Sequence, residues 1–234
     1  MPIPADALAV MVKAPVPGQV KTRLLPALSA EEAAQFYQAL LLDQLNHLSR
    51  LEGAALYVAF APEDARSTIA ALAPGAFRLF PQEGVDLSTR MQQVFERLCA
   101  WGHRNMILIG SDLAPVPFAT FKEGFAALEA GRGRVVLGPS RDGGYYLVGM
   151  NRLTPEMFTG ISWGHDQVLA QTLTRLAELK VDKVILPAWF DIDTPQDLHR
   201  LQRDLPPELN GTLTHTVEFL RRLESNQKSS PGKD

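Results

Sequence analysis

Cations and a hydroxyl group are concentrated in one loop near the amino terminus of this 234-residue chain. The apolar run Leu8–Val12 ends in a loop that contains Lys13, Pro15, Gly18, Lys21, Thr22 and Arg23. A buried strand that opens into such a loop is where α/β sheets receive anionic ligands, and cations beside loop N–H groups suit a di- or triphosphate. The loop therefore predicts a phosphate site. It has neither a Walker sequence nor G-x-G-x-x-G, so a strand followed by a solvated basic loop stays the alternative.

A second apolar run, Met106–Ile109, places Ser111 and Asp112 at the end of a predicted central strand. A carboxylate there, beside a phosphate-binding loop, is placed to hold a divalent cation, because such cations share one or two carboxylates with substrate phosphates. Capping of the following turn by Asp112 is the alternative.

Two aspartates near the carboxyl terminus are candidates for the same metal site. Asp191 and Asp193 are two residues apart, so they project the same way from an extended segment, and one of them can complete the site of Asp112. The alternative is that Asp193 and Thr194 only cap a helix that begins at Pro195.

The segment Asp142-Gly143-Gly144 lies between two strand-like runs. Such a turn is typical of a plain β-hairpin, which is the interpretation that the local pattern favours. The functional alternative is that Gly143 and Gly144 let the backbone approach a ligand, while Tyr145 and Tyr146 supply a stacking face and a hydroxyl group.

Two helix starts carry weaker signals. Asp86 is placed to cap a helix, and Arg90 in its first turn to reach a ligand. Before another predicted helix, His165 and Asp166 are residue types that accept a proton as a general base when their pKa is suitably tuned. An ordinary surface or capping role is the alternative for His165 and for Asp166.

Composition excludes several classes of protein. The net charge of −3 shows no basic excess, which argues against a nucleic-acid-binding protein. No apolar run approaches the roughly 20 residues that span a bilayer, and Met1–Asp6 lacks the basic start of a signal peptide. The one cysteine, Cys99, forms no intramolecular disulfide and fits a reducing compartment. We therefore expect a cytoplasmic protein without membrane or nucleic-acid partners.

Alternating strands and helices must position these residues. Apolar runs predict strands at Leu8–Val12, Ala55–Phe60, Arg78–Phe80, Met106–Ile109, Val135–Gly138, Tyr145–Gly149 and Val184–Leu186. Periodicity predicts helices at Ala30–Leu51, Asp64–Leu72, Ser88–Trp101, Phe118–Leu128, Asp166–Leu179, Gln196–Asp204 and Leu213–Leu223, the first with a capping box of Ser29 and Glu32. The pattern predicts an α/β fold, a three-layer α/β/α sandwich with a mostly parallel sheet. One domain is expected over residues 1–224, followed by a disordered tail over 225–234.

In sequence order, these motifs resemble the bacterial glycosyltransferase-like proteins of the GT-A, or nucleotide-diphospho-sugar transferase, superfamily. The similar group carries an uncharacterised-domain label and includes members assigned to arsenosugar biosynthesis. The resemblance covers about Leu8 to Leu201. The matching residues are Lys13–Gly18 with Lys21–Leu24, Asp86-Leu87 with Arg90-Met91, Gly110–Asp112, Gly138-Pro139 with Asp142–Leu147, Ser162-Trp163, and Asp191–Pro195 with Asp197-Leu198.

The resemblance implies a GT-A fold, with a nucleotide bound over the first loop and the carboxyl edge of the sheet. It also implies Mg²⁺ or Mn²⁺ bridging the diphosphate through Asp112, with Asp193 or Asp191 as a second contact. The D-x-D sequence of many GT-A enzymes is absent, because Leu113 and Ala114 follow Asp112.

The expected reaction is transfer of a glycosyl group from a nucleotide-diphosphate sugar to a small-molecule acceptor. The first loop also resembles that of 2-phospholactate guanylyltransferases, and the layout that of molybdenum-cofactor guanylyltransferases. Nucleotidyl transfer to a phosphorylated small molecule is therefore the alternative, and a non-catalytic nucleotide-sugar-binding module is a third. The sequence does not predict the nucleotide base, the sugar, the acceptor or the oligomeric state.

The site residues are assigned by role within this expected reaction. Nucleotide and phosphate contacts are assigned to Lys13, Pro15, Gly18, Lys21, Thr22, Arg23, Asp86, Arg90 and Ser111. Sugar or acceptor contacts are assigned to Gly143, Gly144, Tyr145 and Trp163, and catalytic roles to Asp112, Asp142, Asp166 and His165.

Overall fold

The computed structural model describes residues 3–189, 191–203, 209 and 211–229. The strands are β1 (Asp6–Lys13), β2 (Ala54–Ala61), β3 (Phe77–Pro81), β4 (Asn105–Gly110), β5 (Arg134–Pro139), β6 (Tyr145–Met150) and β7 (Asp182–Ile185). The helices are α1 (Ala30–Leu48), α2 (Arg66–Leu72), α3 (Leu87–Ala100), α4 (Phe118–Glu129), α5 (Val168–Glu178), α6 (Pro195–Arg203) and α7 (Thr214–Ser229). Short 3₁₀ helices cover Thr22–Leu24, Glu63–Ala65 and Pro155–Phe158. Each strand and helix that the sequence predicts is present, although the predicted last residue of α6, Asp204, lies outside the described residues.

The strands form one seven-stranded sheet in the order β3-β2-β1-β4-β6-β5-β7. β1 is parallel to both of its neighbours, β2 and β4, whereas β6 runs antiparallel to β4 and β5. Because parallel strands end at the same edge and an antiparallel strand begins there, the ends of β1 and β4 meet the β5–β6 turn. The mostly parallel sheet is as predicted.

Helices cover both faces of this sheet. On one face, Leu8 and Val10 of β1 pack in a cluster with α1, α2 and α4. On the other, Ala7 and Ala9 pack in a second cluster with α3 and α5. Alternate residues of β1 therefore face opposite layers, as in a strand that is buried on both sides. This arrangement confirms the three-layer α/β/α sandwich.

The last two helices pack on the outer side of α1. Phe36 of α1 and Phe219 of α7 lie in a third cluster with α6, and their ring centroids are 5.7 Å apart. Asp43 of α1 is buried and accepts hydrogen bonds from the N–H groups of His215 at 2.9 Å and Thr216 at 2.8 Å, at the start of α7. In the described part of the chain, no helix combines the length and the apolar character needed to cross a membrane.

Helix α7 extends further than the sequence predicts. Its last residues, Ser225–Ser229, are helical, although their polar sequence predicts a disordered tail. Each added helical residue gains a backbone hydrogen bond once a helix is nucleated, so α7, anchored by buried Leu220 and Leu223, continues into polar sequence. The rest of the predicted tail, 230–234, lies outside the described residues.

Candidate active site

A cleft of about 590 Å³ lies along the carboxyl edge of the sheet. Its apolar lining includes Met11 of β1, Leu108 of β4 and Val148 of β6. The segments that follow β1, β3, β4 and β5, and the segment before α5, supply most of its other lining residues. The cleft is at the place where the strand order reverses, which is where open α/β sheets bind ligands.

The cleft brings together most of the residues that the sequence assigns to a functional site. Its lining contains Lys13, Arg23, Asp86, Arg90, Ser111, Asp112, Asp142, Gly144, Tyr145, Trp163, His165, Asp166 and Asp191. An adjoining cavity of about 170 Å³ shares some of these and adds Lys21, Thr22 and Asp193.

Two predicted residues of the first loop shape its backbone and line neither cavity. Gly18 has a φ of +76°, a conformation that glycine adopts without strain. Beside Pro15, the N–H of Val16 donates to the carbonyl oxygen of Ala14 at 2.8 Å. These residues turn the chain, and their predicted contact with phosphate stays a prediction.

Among the described residues, the Lys and Arg side chains that line the cleft are Lys13, Arg23 and Arg90. Lys13 ends β1 and Arg23 lies in the 3₁₀ helix after the first loop, and both are exposed. Arg90 lies in the first turn of α3, where its Nε donates to the carbonyl oxygen of Gly84 at 3.0 Å. Three cations around one cleft suit a diphosphate.

The loop before α3 has a defined shape. Gly84 has a φ of +126°, and a Cβ there would lie 2.5 Å from Thr89 Oγ1 and 2.9 Å from the nitrogen of Arg90. Asp86 caps α3, because its Oδ1 accepts a hydrogen bond from the N–H of Thr89 at 2.8 Å. Hydrogen bonding with Thr89 holds the pKa of the Asp86 carboxyl group below its usual value. Val85, between Gly84 and Asp86, lines the cleft and is 93% exposed. The predicted capping role of Asp86 is confirmed.

Lys21 is buried among carboxylates, apart from the cations of the cleft. Its Nζ lies 2.7 Å from Asp193 Oδ1, 3.2 Å from Asp112 Oδ1 and 2.9 Å from the carbonyl oxygen of Asp112. The side chain is 1% exposed. Burial opposes its charge, but attraction to both carboxylates outweighs burial and raises the pKa of Lys21. Lys21 therefore ties the first loop to Asp112, after β4, and to Asp193, before α6. The phosphate contact that the sequence assigns to Lys21 stays a prediction.

Tyr37 of α1 links the ends of β1 and β4, a role that its place in an apolar stripe concealed. Its buried hydroxyl group accepts a hydrogen bond from the N–H of Lys13 at 3.1 Å and forms a second hydrogen bond with Ser111 Oγ at 2.7 Å. Burial raises the pKa of Tyr37 above its usual value, so the phenol keeps its proton. Ser111, predicted to contact phosphate, is thereby fixed in orientation.

Gln82, after β3, is a second residue that the sequence patterns did not reveal. Its Nε2 donates to the carbonyl oxygens of Val12 at 3.2 Å and Ala59 at 2.8 Å, at the ends of β1 and β2. Gln82 also lines the cleft. A polar residue directly after a short apolar strand is the signal by which it can be found.

Carboxylates gather where β4 and β5 end. The side chain of Asp112 is 54% exposed. Asp191 forms an isolated antiparallel bridge with Leu113, which holds its segment against the end of β4. Asp142 Oδ1 accepts hydrogen bonds from Ser140 Oγ and, at 3.1 Å, from the N–H of Gly144. Burial, followed by the negative charges of the neighbouring aspartates, raises the pKa of Asp191 to about 7.

Asp191 and Asp193 are used differently. Asp191 lines the cleft together with Asp112, whereas Asp193 is paired with Lys21. The predicted cap of α6 is formed by Thr194, whose Oγ1 accepts from the N–H of Asp197 at 3.2 Å while Asp197 Oδ2 accepts from the N–H of Thr194 at 2.9 Å. Asp191 therefore shares the cleft with Asp112, and its role as the second contact of a metal site stays a prediction.

The donors in the cleft fit one kind of divalent-cation site. The carboxylates of Asp112 and Asp191 supply the hard oxygen ligands that Mg²⁺ and Mn²⁺ accept. Across residues 3–189, 191–203, 209 and 211–229, no group of three or more His, Cys, Asp or Glu side chains is arranged to hold a metal ion. The residues thus suit a cation that completes its coordination with phosphate oxygens and water, as Mg²⁺ commonly does.

Gly143 holds one wall of the cleft against another segment. Asp142-Gly143-Gly144 forms the turn of the β5–β6 hairpin, which confirms the hairpin interpretation. A Cβ at Gly143 would lie 2.1 Å from the carbonyl oxygen of Asp166, and the carbonyl oxygen of Gly143 accepts from the N–H of Leu169 at 2.9 Å. The close approach is to the protein's own backbone, and Gly143 itself does not line the cleft.

The aromatic residues Tyr145, Tyr146 and Trp163 line this wall of the cleft. Tyr145 and Trp163 pack edge to face with centroids 6.0 Å apart, and Trp163 Nε1 donates to Ser88 Oγ at 2.7 Å. The hydroxyl group of Tyr145 is buried, which raises its pKa, and that of Tyr146 donates to the carbonyl oxygen of Pro187 at 2.9 Å. The hydroxyl group that the sequence offers to a ligand is therefore buried in Tyr145 and already hydrogen-bonded in Tyr146.

His165 and Asp166 are exposed at the far end of this wall. His165 Nδ1 accepts from the N–H of Gln167 at 3.2 Å, which favours the tautomer with its proton on Nε2. The structure places both side chains at the cleft, and their role as a general base stays a prediction.

A profile of a family described as an uncharacterised protein conserved in bacteria (DUF2064) matches residues 44–165 of the chain. None of the curated proteins matches the chain. Among solved structures, a candidate nucleotide-diphospho-sugar transferase from Desulfovibrio desulfuricans G20 is 29% identical, with a TM-score of 0.86 over 95% of this chain and 96% of that chain.

Two more distant structures share the fold. Rv0371c from Mycobacterium tuberculosis H37Rv, in complex with manganese, is 15% identical, with a TM-score of 0.52 over 86% of this chain and 100% of that chain. The inositol-1-phosphate CTP transferase from T. maritima is 13% identical, with a TM-score of 0.53 over 92% of this chain and 97% of that chain. The predicted resemblance and the nucleotide-diphospho-sugar transferase-like fold are confirmed.

Proposed function

The chain belongs to the DUF2064 family of bacterial proteins, and we propose that it is a transferase that moves a glycosyl group from a nucleotide-diphosphate sugar to the hydroxyl group of a small-molecule acceptor. One observation carries the proposal: the cleft joins three cations, Lys13, Arg23 and Arg90, to the carboxylates of Asp112 and Asp191. The likeness to a candidate nucleotide-diphospho-sugar transferase supports a transferase role.

In this reaction, the bond between the anomeric carbon and a diphosphate oxygen breaks, and a bond between that carbon and the acceptor oxygen forms. Negative charge develops on the leaving nucleoside diphosphate. Lys13, Arg23 and Arg90 line the cleft and donate charged hydrogen bonds to that group. The hydrogen bond from Arg90 to the loop at Gly84 orients its guanidinium before the ligand arrives, which lowers the reorganisation needed in the transition state.

We propose Mg²⁺ or Mn²⁺ as the cofactor, held by Asp112 and Asp191 together with phosphate oxygens. When bound, the cation supplies positive charge that stabilises the leaving diphosphate. The manganese complex of the similarly folded Rv0371c supports this choice.

The acceptor is assigned to the wall that Tyr145 and Trp163 build. Their rings supply apolar contact area, and Asp142 at the same turn accepts hydrogen bonds from sugar or acceptor hydroxyls. His165 or Asp166 takes the proton that the acceptor hydroxyl releases, because both are exposed at the cleft.

Nucleotidyl transfer is the second candidate, since the chain shares its fold with an inositol-1-phosphate CTP transferase. The same cations suit a nucleoside triphosphate, whose bond between the α- and β-phosphates would break with release of pyrophosphate. A binding module without turnover is the third.

Product analysis separates the three functions. The protein is incubated with panels of nucleotide sugars and nucleoside triphosphates, candidate acceptors and Mn²⁺, and the phosphorus-containing products are identified by ³¹P NMR. Free nucleoside diphosphate supports glycosyl transfer, pyrophosphate supports nucleotidyl transfer, and a bound but unconverted ligand supports the binding module. Asp112→Asn is expected to lose turnover, whereas Arg221→Ala, at an exposed position of α7, keeps it. Failure to bind any of these nucleotides would overturn all three.

A further inference from the structure

Each of the three N–H donors of the Lys21 ammonium group has an oxygen acceptor nearby. Three oxygens lie within 3.2 Å of Nζ: Asp193 Oδ1, Asp112 Oδ1 and the carbonyl oxygen of Asp112. The side chain is 1% exposed, so water does not share these contacts. Lys21 is in effect a cation coordinated by oxygen atoms.

The position of Lys21 is held by the backbone as well as by charge. Lys21 has a φ of +48°, in the left-handed region, and the 3₁₀ helix that follows it begins at Thr22. Leu24, in that helix, is fully buried in the cluster between α1 and α6. The ammonium is therefore delivered by a packed segment, unlike the exposed side chain of Arg23, whose Nη1 lies 4.0 Å from Asp193 Oδ2.

A divalent cation cannot occupy the same space as this ammonium group. Asp112 and Asp193 together carry two negative charges, and Lys21 neutralises one of them while contacting one oxygen of each carboxylate. A metal ion that approaches Asp112 from the cleft meets a carboxylate that is already paired with a cation, and the positive charges of the metal and of Lys21 repel each other.

We propose that Lys21 is a built-in cation that excludes a divalent metal from the position between Asp112 and Asp193, so that the metal binds at the cleft side of Asp112 only together with a nucleotide. The phosphates of that nucleotide offset the repulsion and supply the missing ligands. Lys21 is thus a positioning residue. The inference has two halves. The nucleotide half, that the metal binds only together with a nucleotide, rests on the proposed function, whereas the exclusion of metal by Lys21 does not.

Mn²⁺ binding without nucleotide, measured by electron paramagnetic resonance of the free ion, tests the exclusion directly. The wild-type chain is expected to bind Mn²⁺ weakly. Lys21→Met removes the ammonium group from between the two carboxylates and keeps the length of the side chain, so it is expected to lower the Kd for Mn²⁺ by at least about tenfold. Arg23→Met is the matched control, because it removes a nearby positive charge without opening the position between the carboxylates, and its Kd is expected to stay near that of the wild type.

Three results overturn the exclusion: a Lys21→Met variant that binds Mn²⁺ no better than the wild type, an equal gain in Arg23→Met, or tight binding by the wild type alone. Adding nucleoside diphosphates to the wild type tests the nucleotide half. If Mn²⁺ affinity does not rise with any of them, the nucleotide half and the proposed function fail together, while the result for Lys21→Met still decides the exclusion.

A measurement on the wild-type chain covers the case in which Lys21→Met does not fold. Lysines are acylated with acetic anhydride, and the modified sites are identified by mass spectrometry. Lys21 is expected to react at least about tenfold more slowly than exposed Lys13, with or without millimolar Mn²⁺, because a buried amine reacts only after local opening. If Mn²⁺ alone makes Lys21 as reactive as Lys13, the metal displaces the ammonium and the proposal is wrong.

Discussion

Replacing Gly143 by alanine tests how the wall of the cleft is held. Gly143 has a φ of +87°, and a Cβ there would lie 2.1 Å from the carbonyl oxygen and 2.6 Å from the Cα of Asp166. Because these atoms belong to the backbone, no flexible side chain can move aside. Gly164 is a matched control, since its φ is +89° and a Cβ there would meet nothing within 4 Å.

The difference between the two variants isolates the steric contact. Both substitutions force an L-residue into similar positive-φ backbone, and both reduce the freedom of the unfolded chain equally. Overpacking costs about 1–3 kcal/mol, so we expect Gly143→Ala to lower the free energy of unfolding by about 2 kcal/mol more than Gly164→Ala. In a domain of this size, that difference lowers Tm by about 4–8 °C.

Calorimetry and urea unfolding of both variants measure this difference. If the hairpin turn and the segment before α5 are packed as described, the m-value stays constant and only the midpoint falls further in Gly143→Ala. Equal midpoints for the two variants would show that the turn and the backbone of Asp166 are not in contact. The placement of Tyr145 and Trp163 depends on that contact, so it would also be refuted.

Four further variants test other parts of the structure. Tyr37→Phe removes the hydroxyl group that joins Lys13 to Ser111, and we expect a loss of about 1–3 kcal/mol in urea unfolding. Asp43→Ala leaves two N–H groups at the start of α7 without their acceptor, with an expected loss of similar size, about 1–3 kcal/mol, by the same assay. Lys13→Ala and Arg90→Ala are each expected to weaken nucleoside diphosphate binding about tenfold in titration calorimetry and to reduce its salt dependence.

Each of these variants has a result that contradicts its premise. Unchanged stability of Tyr37→Phe would mean that the link between β1 and β4 does not form, and unchanged stability of Asp43→Ala would say the same of the α1–α7 contact. If Arg221→Ala on α7 weakens binding as much as Lys13→Ala does, the effect is that of general charge, and the cleft cations have no special role.

The elements of the fold were accessible from the sequence because their signals are local. Unbroken apolar runs mark strands that are buried on both faces, and the capping boxes of Ser29 and Asp86 form between residues three apart. The end of α7 is the exception, since an anchored helix continues through polar residues that have no apolar pattern.

The functions of single site residues depend on partners far along the chain. The loop sequence predicts a phosphate contact for Lys21, whereas the partners of its ammonium group in the structure lie 91 and 172 residues away. The spacing of Asp191 and Asp193 could not tell which of them faces the cleft, because the bridge to Leu113 and the pairing with Lys21 decide it. Tyr37 could not be separated from the apolar residues of its helical stripe, because its partner Ser111 is also distant in sequence.

A crystal structure with a nucleoside diphosphate and Mn²⁺ tests the central claim most directly. The account predicts an anomalous peak for Mn²⁺ beside Asp112 and Asp191, with the diphosphate against Lys13, Arg23 and Arg90 and with Lys21 still buried. Mn²⁺ or the diphosphate bound outside the cleft, with these side chains free of both, would contradict it.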